Sequence, residues 1–121
     1  MSHFVLLVIG PNPATQLAPF ERGGDGGLWK CDWCAPGGRW PGFLALKSGE
    51  RVDRAIKRDL EPGSLRLTHA VLMDGVWYEW GPLWFGIAQG DKTRDEWAAE
   101  FKGLLDAVPD DALLSIYDCH V

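Results

Sequence analysis

Two histidines and one aspartate, which lie near opposite ends of the chain, are the residues best suited to chemistry. They are His3, Asp118 and His120. Two imidazoles and a carboxylate can bind a divalent metal ion. They can also act as a general acid–base pair in which the aspartate orients one ring. The simpler alternative is that both histidines are exposed residues of fraying strand ends, with no chemical role.

The elements that carry these residues predict that they meet. The apolar run Phe4–Ile9 is typical of a buried strand, and residues 113–121 read as a final strand. If the two strands pair antiparallel with residue 3 opposite residue 120, then residue 5 lies opposite residue 118. Alternation along each strand then places His3, Asp118 and His120 on one face, whereas a slip of one residue would send His3 to the other.

A glycine-rich turn is the second candidate site. Gly37 and Gly38 could let the backbone approach a ligand, and Arg39 offers a planar fork for a phosphate or carboxylate. Trp33 and Trp40 could each stack against a base. The alternative is structural: a bulged hairpin whose tryptophan packs in the core and whose arginine pairs with a carboxylate. The turn is not a phosphate-binding P-loop, because it lacks the Gly-Lys-Ser/Thr signature and a following helix.

Three cysteines are present, and two of them form the CxxC motif Cys31-Asp32-Trp33-Cys34. A zinc site needs two more ligands, and Cys119 and His120 should point to opposite faces of their strand, so they cannot easily both join. A redox motif would normally open a helix, which the following Pro36 and glycines disfavour. We therefore assign no metal ligand, and the sequence does not indicate which cofactor, if any, the protein uses. An odd number of cysteines does not predict a disulfide framework, and a reducing compartment fits better.

The remaining patterns predict an α+β domain over residues 1–121. Residues 48–60 read as a short amphipathic helix, residues 67–73 and 76–80 as a hairpin around Asp74-Gly75, and Thr93 begins a second helix that ends before Pro109. The order β-α-β-β-α-β is that of a ferredoxin-like split sheet. We expect both helices on one face, with the Trp/Gly-rich segment 29–46 as an extra strand and loop.

Composition narrows the class of protein. The formal net charge is −5, which argues against a protein that binds duplex DNA through a broad basic face. The longest apolar run is too short for a signal peptide or a membrane helix, so we expect no membrane association and a cytoplasmic location.

Seven tryptophans stand beside five phenylalanines and two tyrosines. A chain of 121 residues cannot easily bury all of them, so we expect some indoles to form an exposed aromatic patch.

Two resemblances add to this interpretation. Paired histidines on neighbouring strands resemble the two-histidine phosphoesterases, whose motif is His-x-Thr/Ser, although Val5 stands at the hydroxyl position here. The chain as a whole resembles a family of small uncharacterised proteins of tailed bacteriophages. Three tracts carry that resemblance: Met1-Ser2-His3-Phe4 with Val8-Ile9-Gly10, Gly37-Gly38-Arg39-Trp40-Pro41-Gly42-Phe43, and Pro109-Asp110-Asp111 with Asp118-Cys119-His120. These phage proteins more often carry Thr at the position of Val5 and Tyr at that of Cys34.

The phage resemblance implies an accessory protein that works in the cytoplasm of an infected bacterium and counters host defence. With the candidate residues, it leads to the hypothesis of a protein that binds, and could hydrolyse, a nucleotide or phosphodiester such as a cyclic nucleotide signal. Whether it is an enzyme stays open at this point. The alternative is a non-enzymatic protein that binds and inhibits a host protein through exposed aromatic residues. A homodimer is compatible with either hypothesis.

Overall fold

The computed structural model describes residues 2–24, 27–81, 83–84, 87–88 and 92–121, and for residues 82–91 no side chain is described. The fold is α+β, with a mixed sheet and two α-helices. The strands are β1 (His3–Ile9), β2 (Trp33–Pro36), β3 (Leu44–Ala45), β4 (Arg51–Val52), β5 (Arg54–Ile56), β6 (Ala70–Met73), β7 (Val76–Glu79), β8 (Leu83–Trp84), β9 (Ile87–Ala88) and β10 (Leu113–His120). The helices are α1 (Pro13–Leu17) and α2 (Arg94–Asp106), with single 3-10 turns at Ala18–Phe20 and Lys57–Asp59.

The two long strands lie side by side at the centre of the sheet. The main sheet has the order β2-β10-β1-β6-β7, and β5 pairs with β10 beside β2. β1 and β10 are antiparallel, with His3 opposite His120 and Val5 opposite Asp118. The register expected from the sequence is therefore confirmed, and the register decides which side chains can meet at this end of the sheet.

Both faces of the sheet are covered. The odd residues of β1 pack with Trp97 and Phe101 of α2, whereas its even residues pack with Leu17 of α1 and with Phe20. α1 and α2 therefore lie on opposite faces. The expectation of two helices on one face is wrong, because residues 48–60 form no α-helix and α1 is a helix that the sequence did not predict. Because two layers cover the sheet, β1 can be apolar on both sides, which explains its unbroken run of hydrophobic residues.

The helix predicted for residues 48–60 is wrong. This segment forms β4, β5 and a 3-10 turn. The backbone of β5 pairs with the outer edge of β10, and the Asp53 carbonyl accepts a hydrogen bond from the Ile116 amide at 2.8 Å. The ammonium of Lys57 donates to the carbonyls of Leu105 and Val108, at the carboxyl end of α2. Pairing with a central strand thus outweighs a weak helical periodicity.

The ferredoxin-like strand order is not confirmed. In a split sheet the second strand of the hairpin lies beside strand one. Here the first strand of the hairpin, β6, lies beside β1 and parallel to it, and β7 lies outside β6. The chain from β1 to β6 is thus a crossover connection, and it contributes β2 and β5 to the outer edge of β10.

Other local predictions are confirmed. Thr93 and Glu96 form the predicted capping box at the start of α2. The hairpin turn has Asp74 at φ 52° and Gly75 at φ 75°, as a tight two-residue turn requires. The aromatic segment around Trp84 and Phe85 lies outside the residues whose side chains are described. Within the described ranges, no helix combines the length and the apolar character needed to cross a membrane.

Candidate functional site

The three residues singled out first form one cluster at the end of β1 and β10. Nδ1 of His3 lies 2.8 Å from Oδ1 of Asp118, and Nε2 of His120 lies 3.8 Å from Oδ2 of the same carboxylate. Asp118 is only 3% exposed. An ionised carboxylate only accepts hydrogen bonds, so Nδ1 of His3 carries the proton in this contact. In the neutral ring, the lone pair of His3 is then on Nε2, which leaves that atom able to accept a proton.

His120 is held between two rings. Its imidazole stacks against the Trp33 indole, with ring centroids 3.5 Å apart and an interplanar angle of 19°. The centroid of the same imidazole also lies 3.8 Å from the centroid of the His3 ring. Trp33 reaches this position because β2 pairs with β10 and places Trp33 opposite His120. The rings of Trp33, His120 and His3 thus contact one another in that order, and both imidazoles lie beside the buried carboxylate of Asp118.

The glycine-rich turn supports the carboxylate directly. The Arg39 amide donates to Oδ2 of Asp118 at 3.1 Å. Gly38 has φ 51°, and a Cβ added there would lie 2.8 Å from Cγ of Asp118. Gly37 is in the same left-handed region at φ 68°, and an added Cβ would lie 2.8 Å from Cγ of Asp53. Glycine is required at both positions because the backbone conformation and the close contact each exclude a side chain.

The backbone amides of this turn are all used within the protein. Gly37 donates to Ile116, Gly38 to Pro36 and Trp40 to Gly37, in addition to the bond from Arg39 to Asp118. The turn therefore does not present free amides to an anion. Gly37 and Gly38 position Asp118 and its surroundings, and the exposed Arg39 side chain is the group of this turn that can reach a phosphate.

The two candidate stacking tryptophans differ in their environments. Trp33 is 48% exposed even though its inner face covers His120, so its outer face is open to a planar ligand. Trp40 is half-buried and packs against the core cluster on the α2 side of the sheet. Trp29, which the sequence did not single out, is 58% exposed. Trp77 and Trp80 pack against the clusters on opposite faces of the sheet, and Trp97 is fully buried in the core.

The electrostatics of the cluster favour a neutral His120. Burial lowers the pKa of His120 below its usual value, and the neighbouring His3 lowers that pKa further. The Asp118 carboxylate acts in the opposite direction, while the Arg39 charge also lowers the pKa.

Among the described residues, two groups of side chains could hold a metal ion. Donor atoms of His3, Asp118 and His120 all lie within 4.8 Å of one another, and so do the sulfur atoms of Cys31, Cys34 and Cys119. The second group corrects one expectation: Cys34 and Cys119 form a disulfide across β2 and β10, although no disulfide was expected. As expected, Cys119 and His120 do not both join the CxxC motif, because only Cys119 lies opposite Cys34.

In the described part of the chain, two cavities at the opposite end of the sheet have volumes of about 420 and 320 Å³ and share Pro11, Asn12 and Thr15. Neither of these two is lined by His3, Asp118, His120, Arg39 or Trp33.

The sequence did not indicate Asp53 and Glu21, two residues that support the site through hydrogen bonds to neighbouring backbone amides. Asp53 accepts a hydrogen bond from the Gly42 amide at 2.9 Å and fills the space next to Gly37. Glu21 accepts one from the Cys34 amide at 3.2 Å. Neither residue belongs to a spacing pattern, and only the position of β2 on β10 could have indicated them.

Comparison with protein-family models, with curated proteins and with solved structures finds no match.

Proposed function

We propose that the protein binds a nucleotide or phosphodiester at the cluster of His3, Asp118 and His120 and hydrolyses it. One observation carries this proposal: His3 is hydrogen-bonded to a buried carboxylate, and the neighbouring ring of His120 stacks against the exposed indole of Trp33. The side chain of His3 is 16% exposed, whereas those of His120 and Asp118 are 9% and 5% exposed. His3 is therefore the member of the cluster that a substrate can reach.

In the proposed reaction, Nε2 of His3 takes a proton from water as the water oxygen forms a bond to phosphorus. The ester P–O bond breaks, and the departing oxygen takes up the proton from His3. Asp118 stabilises the imidazolium that forms in between, as the carboxylate does in a catalytic triad. A neutral His120 helps, because a second positive ring 3.8 Å away would oppose proton uptake by His3.

Two further groups give the site its preference for a nucleotide. The outer face of Trp33 can stack a base, an interaction worth about 1–3 kcal/mol per base. The Arg39 guanidinium can pair with a phosphate oxygen in a charge-assisted hydrogen bond. Following the phage resemblance, we propose that the substrate is a nucleotide signal of host defence in the cytoplasm of an infected bacterium.

A panel of cyclic and linear nucleotides, incubated with the protein and separated by chromatography, tests this proposal. Degradation by the wild-type chain and its loss in His3→Asn are the expected results. Retention without degradation would reduce the proposal to binding. If no nucleotide is bound or degraded, the proposal fails.

A specific observation favours the second candidate function, inhibition of a host protein. Leu28, Trp29 and Trp33 are each about half exposed, at 51%, 58% and 48%. Three large apolar side chains near one another in sequence are typical of a protein-binding surface. Under this alternative, Trp29→Ala and Trp33→Ala would both abolish binding of the partner, and His3→Asn would leave it unchanged.

A further inference from the structure

The three cysteines of the chain converge behind the candidate site, on the opposite face of the sheet. Cys119 lies between Asp118 and His120 on β10, so it points away from them. It is disulfide-bonded to Cys34, and Sγ of Cys31 lies 2.9 Å from Sγ of Cys34. Cys119 is 85 residues from Cys34 in sequence, yet all three sulfur atoms lie within 4.8 Å of one another.

The sulfur atoms lie close together in a buried part of the fold. Cys31 and Cys119 are fully buried in the apolar cluster with Phe4, Leu17 and Phe20. Three sulfur donors within 4.8 Å of one another are close enough to bind one metal ion.

We propose that the reduced protein binds one Zn²⁺ through Cys31, Cys34 and Cys119. A thiol reductant would first cleave the Cys34–Cys119 bond: two electrons and two protons pass to the sulfur atoms, and the reductant leaves as its own disulfide. Binding of Zn²⁺ then displaces the three thiol protons. Zinc–sulfur bonds of about 2.3 Å place the sulfur atoms of a tetrahedral site about 3.8 Å apart. The three sulfur atoms, which lie within 4.8 Å of one another, can reach these distances by small movements.

Three sulfur ligands leave the fourth position of a tetrahedral zinc site to water or to a side chain that moves. Glu21 is a candidate for such a movement, since it pairs with Cys31 in an isolated bridge and its carboxylate accepts a hydrogen bond from the Cys34 amide. Zinc would hold β2 on β10 in the reduced protein, as the disulfide does in the oxidised protein. Trp33 would thereby stay opposite His120 in both states.

The test uses the full chain, reduced with a phosphine, freed of reductant without oxygen, and titrated with Co²⁺ as a spectroscopic probe. We expect thiolate-to-cobalt charge-transfer absorption that saturates at one ion per chain and disappears on addition of Zn²⁺. Oxidised wild-type protein should give no such absorption, because the disulfide removes two ligands. Cys31→Ser should lose much of the absorption, and His3→Asn should retain it, since His3 lies on the other face.

A second readout does not depend on any variant. Zn²⁺ should raise the thermal midpoint of reduced wild-type protein and leave that of the oxidised protein unchanged. The proposal is overturned if reduced wild-type protein shows no charge-transfer absorption, if Cys31→Ser absorbs like wild type, or if Zn²⁺ does not raise the midpoint. Loss of this absorption in His3→Asn would contradict the placement of the ion on the face of the sheet that carries the cysteines. Nucleotide hydrolysis is not used in any of these measurements, so its failure would not affect them.

Discussion

Replacing Asp118 by Asn tests how the buried carboxylate organises the site. The carboxylate accepts from Nδ1 of His3 at 2.8 Å and from the Arg39 amide at 3.1 Å. The amide of Asn has nearly the same volume but only one accepting oxygen. One of the two N–H groups must therefore face the NH₂ group, unless His3 changes its tautomer or the turn moves.

The expected loss follows from these contacts. A hydrogen bond to a charged group contributes about 1.5–3 kcal/mol, and part of this loss is offset because Asn does not bury a charge. We expect the free energy of unfolding to fall by about 2 kcal/mol, which lowers the thermal midpoint by about 5–10 °C for a chain of this size. If the site hydrolyses a nucleotide, kcat should fall by about 10²–10⁴, because the wrong tautomer of the base is populated.

Two measurements check this prediction. Thermal unfolding gives the midpoint, and the nitrogen chemical shifts of the imidazoles give the tautomer. In wild-type protein we expect the proton of neutral His3 on Nδ1, and in Asp118→Asn we expect it to move to Nε2. Asp111→Asn is the matched control, since Asp111 is exposed and such a change should alter stability by less than about 0.5 kcal/mol. An unchanged tautomer and an unchanged midpoint in Asp118→Asn would refute this account of the carboxylate.

Three further predictions follow from the same site. Gly38→Ala should destabilise the protein by more than the roughly 1–2 kcal/mol of left-handed backbone strain, because the added Cβ would meet Asp118. Gly63→Ala is the control for the strain alone, since Gly63 has φ 75° and nothing within 4 Å of an added Cβ. Equal losses of stability for the two variants in denaturant unfolding would contradict the contact with Asp118. Trp33→Leu should raise the KM for a nucleotide by about 5–150-fold through lost stacking, whereas Trp29→Leu should not; equal effects would remove Trp33 from the site. The lowered pKa of His120 means that the folded protein favours the neutral ring, so this contribution to stability is present above the ordinary pKa near 6.5 and is lost as pH falls below it. Unfolding from pH 7.5 to 5 should therefore depend less on pH in His120→Asn than in wild type, and identical pH profiles would contradict the shift.

The sequence predicted the centre of the molecule well because its signals are local and strong there. The run Phe4–Ile9 and the residues before His120 could pair in a single register that buries the apolar side chains, and the capping box at Thr93 marked the start of α2. That register alone predicted the meeting of His3, Asp118 and His120.

The rest depended on contacts between distant segments. Nothing in the residues 33–36 indicated that β2 would pair with β10, yet this pairing stacks Trp33 on His120 and brings Cys34 to Cys119. Residues 48–60 carried a helical periodicity that lost to pairing with β10. The glycines of the turn, which the sequence predicted as ligand-binding residues, lie against Asp118 and Asp53. Their role is to make room for Asp118 and Asp53, and only the three-dimensional packing could reveal it.

The rate of nucleotide hydrolysis by wild-type protein and by His3→Asn tests the central claim most directly. The nucleotide is the one degraded fastest in the panel, and both rates are measured at saturating substrate near pH 7.5. Loss of the general base should lower kcat by about 10²–10⁴, with KM nearly unchanged because Trp33 and Arg39 remain. Hydrolysis by His3→Asn at the wild-type rate, or no hydrolysis of any nucleotide by the wild-type protein, would contradict the claim.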